Sequence, residues 1–204
     1  MQLAGRLRVG PYMTPASDVV PVAASEAAAT PVRVFFALVP DDAVRQRFLT
    51  LAHDVARRAR GRAVSGEHFH LTLAFLGDVT IDRLPGLRAI GERLPLVAAT
   101  LAFDTLGAWR ASGVAWTAPA QVPAAITRLH AALHEALRAA GFVIEDRPFR
   151  PHVTLARRCA QPPPRGASTP IVWSARVLSL VGSELRPDGP RYTTLAQWSL
   201  ASAP

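Results

Sequence analysis

The sequence predicts an α+β fold with antiparallel sheets, and three observations support this class. Strand-like and helix-like segments interleave along the chain, two of the strands are joined by a short turn, and one motif occurs twice. The motif is His-x-Thr-Leu-Ala, which begins at His70 and again at His152. The two copies occupy corresponding positions in two halves that share little else, so an ancient duplication is favoured over an array of repeats.

Seven segments are predicted to be strands because they are short, apolar or alternating, and bounded by turn residues. They span residues 32–39, 68–76, 101–109, 113–117, 149–157, 171–181 and 192–200. The third and fourth are expected to form a hairpin, since only the turn at residues 111–113 separates them.

Three helices are predicted, over residues 41–60, 82–93 and 123–140. Asp41 and Asp42 open the first, because carboxylates stabilise the amino-terminal end of a helix. The third has the clearest pattern, since an apolar stripe at helical spacing is followed by Gly141, a residue that terminates helices. The stripe comprises Ile126, Leu129, Leu133 and Leu137.

Residues 1–30 are rich in Pro, Ala, Ser and Thr and have no sustained apolar period. We expect a disordered leader there, or an over-extended gene start, followed by a single bilobal domain over residues 31–204. The start lacks the continuous apolar segment of a signal peptide, and apolar stretches elsewhere are too short to span a membrane. The single cysteine, Cys159, excludes an internal disulfide and favours a reducing cytoplasm.

The net charge is +8, and all 23 basic residues are arginine. Such a charge permits a polyanionic substrate such as RNA. It does not establish one, because the lack of lysine and the abundance of Ala and Pro are also typical of GC-rich coding.

The two motif strands form the candidate site. Side chains alternate between the two faces of a strand, so His70, Thr72 and Ala74 are expected on one face. Phe75 and the motif leucines are expected on the other face, covered by helices. The second motif follows the same rule, and if the halves are related by an approximate two-fold axis, both polar faces line one cleft.

A cleft with two imidazoles and two hydroxyls suits the cleavage of a phosphodiester. Histidine acts as a base or an acid near neutral pH because its ordinary pKa is about 6.5. Threonine hydroxyls can donate hydrogen bonds to the non-bridging oxygens of the phosphate. This chemistry requires no metal ion and no cofactor. One such motif is common on ordinary strands, but two matched copies favour catalysis over a structural role.

The landmarks of a known family lie in four segments, at residues 33–38, 68–77, 149–157 and 189–198. Together they resemble the RNA 2′,3′-cyclic phosphodiesterase (LigT-like) family of two-histidine phosphoesterases. The resemblance implies two antiparallel sheets flanked by helices, with pseudo-two-fold symmetry around a central cleft. It also implies hydrolysis of an RNA-terminal 2′,3′-cyclic phosphate to a 2′-phosphate.

The resemblance also implies residue roles. His70 would protonate the 3′-oxygen, and His152 would activate water. Thr72 and Thr154 match positions that contact the phosphate. Arg157 matches a basic position after the second motif, but alternation puts it on the face opposite His152. It would reach the phosphate only if the strand twists or ends before it.

The family's chemistry leaves alternatives open. The substrate would be RNA with a cyclic phosphate end or a cyclic nucleotide, and the reverse 2′-5′ ligation of RNA is a family capability. One alternative is a related enzyme that acts on another cyclic phosphate or on a 2′-5′ linkage. Another is a non-catalytic module that binds RNA ends. We expect a cytoplasmic monomer that does not bind membranes.

Three further histidines are considered as metal ligands and set aside. His68 lies two residues before His70, but no third ligand accompanies the pair, so a pocket-edge or solvent-facing position is favoured. His130 and His134 have a helical spacing that could hold zinc, but the order His-Glu-x-x-His is absent. An ordinary position on a helix face is therefore predicted for both.

Overall fold

The computed structural model describes residues 31–163, 166–187 and 189–201, so the predicted leader at residues 1–30 lies outside the described residues. The strands are β1 (Val32–Leu38), β2 (Arg62–Ala63), β3 (Leu71–Val79), β4 (Ala99–Trp109), β5 (Val114–Pro119), β6 (Val153–Arg157), β7 (Gly166–Ala175), β8 (Val177–Arg186) and β9 (Gly189–Ser199). The α-helices are α1 (Asp42–Ala59), α2 (Leu84–Glu92) and α3 (Ala124–Ala139).

The strands form two sheets whose neighbouring strands are antiparallel. The first sheet has the order β3-β1-β8-β9, and the second has the order β2-β6-β5-β4-β7. The predicted α+β class is therefore confirmed. The two motif strands lie in different sheets and in different surroundings, because β3 forms a sheet edge whereas β6 has a neighbour on each side.

The helices cover the sheets and leave the opposite faces for the site. α1 packs against strands of the second sheet, while α2 contacts β8 and β9 and α3 contacts β3 in the first sheet. Phe48 of α1 lies within 5.2 to 6.1 Å, between ring centroids, of three other buried aromatic rings. These rings belong to Phe69, Phe103 and Trp173. Burial of such large apolar rings is a main source of folding stability.

The helix predictions agree closely with the structure. The Asp41 side chain caps α1 by accepting a hydrogen bond of 2.9 Å from the Val44 amide. The four residues of the predicted stripe on α3 are fully buried. Among the described residues, no helix is both long and apolar enough to cross a membrane.

Some strand boundaries were predicted wrongly. The predicted strand 171–181 is two strands, β7 and β8, which are separated at Arg176 although the apolar pattern continues through the break. The predicted strand 149–157 becomes regular only at Val153, after Pro151, which has no amide hydrogen for a ladder. The two-residue strand β2 was not predicted, because it is defined only by its pairing with β6.

Candidate active site

Both motif strands contain the same irregularity. In β3, Thr72 and Ala74 pair with the adjacent residues Ala37 and Phe36, so Leu73 between them is an extra residue. Such an extra residue is a β-bulge, and it reverses the faces on which the following side chains lie. The first motif therefore does not keep the simple alternation of a regular strand.

The second motif contains the equivalent bulge. Thr154 and Ala156 pair with the adjacent residues Trp116 and Ala115, which makes Leu155 the extra residue. Each strand starts with the same sequence of burial classes, namely buried, half-buried, buried, buried, exposed. The repeated sequence thus produces a repeated local shape.

The bulges correct the predicted distribution of side chains. Ala74 and Ala156 were expected on the open cleft face with the threonines, but they are buried, with exposed fractions of only 3% and 0%. Phe75 was expected in the core, but it is 45% exposed and pairs with Phe35. Arg157, the matching residue in the second strand, is also exposed. The bulge removes the objection that strand alternation raised against Arg157.

The two motif histidines have the same hydrogen-bond geometry. His70 donates from Nδ1 to the carbonyl oxygen of His68 at 2.7 Å, and His152 donates from Nδ1 to that of Arg150 at 2.8 Å. Each bond goes to the residue two positions earlier in the chain. With the proton of the neutral ring on Nδ1, Nε2 is left to accept a proton.

Aromatic rings hold both imidazoles in place. The His70 ring lies 4.9 Å from Phe35 and 5.5 Å from Tyr192, and the contact with Tyr192 is edge-on. The His152 ring lies 4.6 Å from Trp109, at an interplanar angle of 84°. The positions of these rings depend on strand register, so the sequence alone did not identify Tyr192 or Trp109 as site residues.

Burial and nearby positive charge keep both histidines neutral in the free site. Burial is the largest cause that lowers the pKa of His70, to about 4. The bond to the His68 carbonyl opposes this shift, and the charges of His152, Arg157 and His68 add to it. Burial, followed by Arg157, also lowers the pKa of His152, against the opposing effect of its backbone bond. A bound anion would act in the opposite direction and raise both pKa values.

Arg157 lies close enough to influence three groups of the cleft. Its charge lowers the pKa of both histidines, and it opposes the burial that raises the pKa of Tyr192. The charge of Arg157 therefore acts on residues of both sheets, as expected of a cation that could bind a phosphate in the cleft.

Two cavities adjoin His152. The larger, of about 430 Å³, is lined by residues that include Thr72, Phe75, Trp109, Phe149 and His152, so it joins the two motif strands. The smaller, of about 290 Å³, has a mostly apolar wall built around Trp109 and Trp116. The hairpin register could have indicated this second wall, since Trp116 pairs with Gly107, two residues before Trp109.

His68 lies at the edge of the cleft, in agreement with one of its two predicted positions. Its ring nitrogen Nδ1 lies 3.0 Å from Ser65 Oγ, and its ring is 4.9 Å from Tyr192. In the part of the chain that the structure describes, no group of three or more His, Cys, Asp or Glu residues is placed to hold a metal ion.

The family model for LigT-like phosphoesterases matches the chain twice, at residues 38–116 and at residues 117–192. Each match contains one of the two His-x-Thr motifs. The chain belongs to the LigT-like phosphoesterase family. The predicted family is thereby confirmed, and the double match agrees with the predicted duplication.

Curated relatives and solved structures of LigT-like phosphoesterases extend over most of the chain. The RNA 2′,3′-cyclic phosphodiesterase of Escherichia coli (strain K12) is 31% identical over 83% of this chain and 97% of the relative. The protein of the same name from Thermus thermophilus is 35% identical over 82% and 90%. The crystal structure of E. coli LigT complexed with 3′-AMP is 30% identical, with a TM-score of 0.75 over 83% of this chain and 98% of that one.

Proposed function

We propose that this protein is an RNA 2′,3′-cyclic phosphodiesterase that converts a terminal 2′,3′-cyclic phosphate into a 2′-phosphate. The observation that carries the proposal is the pair of matched histidines, each directly before a bulged strand and each with Nδ1 bound to a backbone carbonyl. Relatives of this name match most of the chain, which supports the predicted enzyme class.

His152 is the proposed general base. In the free site its Nε2 is unprotonated, because Nδ1 carries the proton of the neutral ring and the pKa is lowered. It takes a proton from a water molecule as the water oxygen attacks phosphorus. A base positioned in this way contributes about 10²- to 10⁴-fold to the rate.

His70 is the proposed general acid. The bond between phosphorus and the 3′-oxygen breaks as the water oxygen bonds to phosphorus, and Nε2–H of His70 gives its proton to the departing 3′-oxygen. Because His70 has a pKa of about 4 in the free site, the anionic substrate must supply the electrostatic stabilisation of its protonated form. Exchange with solvent afterwards restores the proton that His70 has lost and removes the one that His152 has gained.

The phosphate oxygens are the proposed ligands of Thr72, Thr154 and Arg157. Both threonines are half-buried. Thr72 borders the larger cavity, and Thr154 pairs with Trp116, which borders the smaller one, and these positions support the assignment. Hydroxyl donors aimed at non-bridging oxygens stabilise the charge that develops in the transition state. The guanidinium can donate two parallel hydrogen bonds to the same group.

The walls of the site fit a nucleotide and hence the end of an RNA chain. Trp109 is 37% exposed and borders both cavities beside His152. An exposed aromatic ring provides a surface on which a base can stack, at about 1–3 kcal/mol per base.

The RNA substrate and the single cysteine favour a cytoplasmic location, which we include in the proposal. We also propose that the enzyme is a monomer.

A second candidate reaction at the same site is the ligation of RNA through a 2′-5′ linkage, which is the reverse of the cleavage of such a linkage. The apolar cavity of about 290 Å³ adjoins His152, on the side from which the attacking water is proposed to come. A nucleoside bound there would present a 5′-hydroxyl in place of water. The product of its attack on the cyclic phosphate is a 2′-5′ linkage, so ligation of RNA and cleavage of such linkages share one mechanism.

The proposal is tested by giving the wild-type enzyme three substrates in EDTA: an oligoribonucleotide with a cyclic phosphate end, a cyclic mononucleotide and a 2′-5′ dinucleotide. Phosphorus NMR identifies the products. Turnover of the cyclic-phosphate RNA to a 2′-phosphate is expected to be fastest. Preference for the dinucleotide would favour the second candidate, and binding of RNA ends without turnover of any substrate would overturn both.

A further inference from the structure

The two bulges differ in what holds their backbone. The carbonyl oxygen of Leu155, in the second motif, accepts a hydrogen bond of 2.8 Å from the backbone amide of Val64. The equivalent carbonyl of Leu73, in the first motif, instead accepts from Nε2 of His134 at 3.0 Å. His134 belongs to α3, and β3 is an edge strand. A side chain thus makes, at the edge of the first sheet, the bond that the backbone makes in the second.

We propose that His134 is a positioning residue for the first half of the active site. By donating to the Leu73 carbonyl, it fixes the bulge that directs Thr72 and Phe75 to the cleft. His134 acts through the backbone of β3, and its side chain also borders the cavity of about 430 Å³ that adjoins His152. This inference rests on the proposed function and adds to it a residue outside the two motifs.

A stack of three rings fixes the orientation of His134. Its ring centroid lies 3.9 Å from that of His130, and the His130 ring lies 3.9 Å from Phe149 at an interplanar angle of 21°. Phe149 directly precedes Arg150, whose carbonyl holds Nδ1 of His152. The stack therefore connects the bulge of the first motif to the residue that orients the second catalytic histidine.

On α3, Nε2 of His134 carries a proton toward the Leu73 carbonyl, so this ring nitrogen is not available as a metal ligand. His130 stays neutral, since burial, followed by the charges of His134 and Arg138, lowers its pKa to about 4. The sequence predicted an ordinary helix-face position for His130 and His134. It did not predict the hydrogen bond from His134 to β3.

Two substitutions separate the hydrogen bond from the volume of the side chain. His134→Met keeps a similar size without a donor, whereas His134→Gln keeps an amide donor near the position of Nε2. We expect His134→Met to lower kcat about 10-fold with little change in KM, because small displacements of a catalytic group cost large factors in rate. His134→Gln should recover kcat to within about 3-fold of wild type. His53→Met, at an exposed position on α1, is the matched control.

Amide hydrogen exchange measures how firmly the β3 bulge is held, and it needs no substrate. In His134→Met, the amides of β3 around the bulge should exchange faster, while those of β6 keep their wild-type rates. If His134→Met does not fold, His130→Leu breaks the stack but retains the donor, and about a 3-fold loss of kcat is expected.

Three results would overturn the inference: unchanged kcat and β3 exchange in His134→Met, equal losses in the Met and Gln variants, or losses that follow only the folded fraction. An inactive wild type would contradict the proposed function instead, and the exchange measurement would still test the role of His134.

Discussion

The strands β3 and β6 have the same motif, the same bulge and the same histidine-to-carbonyl bond, yet their surroundings differ. The bulge of β6 is held by the backbone amide of Val64, and that of β3 by the side chain of His134. After the bulge, β6 presents Arg157 and β3 presents Phe75. The repeated sequence therefore gives both strands the same bulge and the same orientation of the motif histidine. Residues outside the motif make the surroundings of the two histidines different.

The inequality is chiefly one of charge. Arg157 contributes positive charge to the cleft, whereas the equivalent Phe75 contributes an exposed ring with the Arg33 guanidinium 5.4 Å from its centroid. An anionic group between the histidines would therefore be bound more strongly from the side of the second sheet.

Loss of either proposed catalytic histidine should have the largest effect. His70→Ala and His152→Ala should each reduce kcat about 10³-fold or more, because each removes one of the two proton-transfer groups. Steady-state hydrolysis of a cyclic-phosphate oligonucleotide measures the loss. His53→Ala, at an exposed position on α1, should retain full activity. A loss of less than 10-fold in either motif variant would rule out its histidine as an acid or base.

Arg157→Ala should follow, with a loss of about 100-fold in kcat/KM, because it removes a charged donor to the phosphate. Arg157→Lys should recover only part of this loss, since an ammonium cannot reproduce the two parallel hydrogen bonds of a guanidinium. Phe75→Ala, at the equivalent position of β3, should cost less than 10-fold and act mainly on KM.

Arg128→Ala, at an exposed position on α3, is the charge-matched control for Arg157. If Arg157→Ala and Arg128→Ala gave the same small effect, the cation of the cleft would have no role in binding the phosphate. If Phe75→Ala proved as damaging as Arg157→Ala, the two halves would be more equal than their charges indicate.

Thr72→Val and Thr154→Val should each lower kcat about 10-fold, because each removes one hydroxyl donor while keeping the shape of the side chain. The double variant should lose about 100-fold if the two donors act independently. Thr169→Val, at an exposed position of β7, is the control. Kinetics with a clear loss for one threonine and none for the other would show that only one strand contacts the transition state.

The pH dependence should differ between the free enzyme and the complex. Both histidine pKa values are lowered in the free site, that of His70 to about 4, so kcat/KM should be greatest below pH 6.5. Bound phosphate raises both pKa values, so the bell-shaped profile of kcat should have its maximum at higher pH. Profiles measured from pH 4 to 9 would contradict this if the two maxima coincide or their order is reversed.

The repeated motif explains how much the sequence could predict. The motif predicted the fold class and the family, which are confirmed, because these depend on residue types and short spacings. It also predicted His70 and His152 as the candidate acid and base. The sequence could not predict on which face of its strand Ala74, Phe75 or Arg157 lies, because a bulge depends on pairing with another strand. The bond from His134 to Leu73 was equally hidden, because it joins residues 61 positions apart.

The proposed roles of His70 as acid and His152 as base are tested by a substrate in which sulfur replaces the 3′-oxygen of the cyclic phosphate. A thiolate leaves without a proton more readily than an alkoxide, so loss of the acid should matter less. Single-turnover rates of wild type, His70→Ala and His152→Ala are compared on the oxygen and sulfur substrates. We expect sulfur to restore much of the activity of His70→Ala and none of that of His152→Ala. Restoration of His152→Ala alone would reverse the assigned roles, and equal behaviour of the two variants would contradict an acid and base pair.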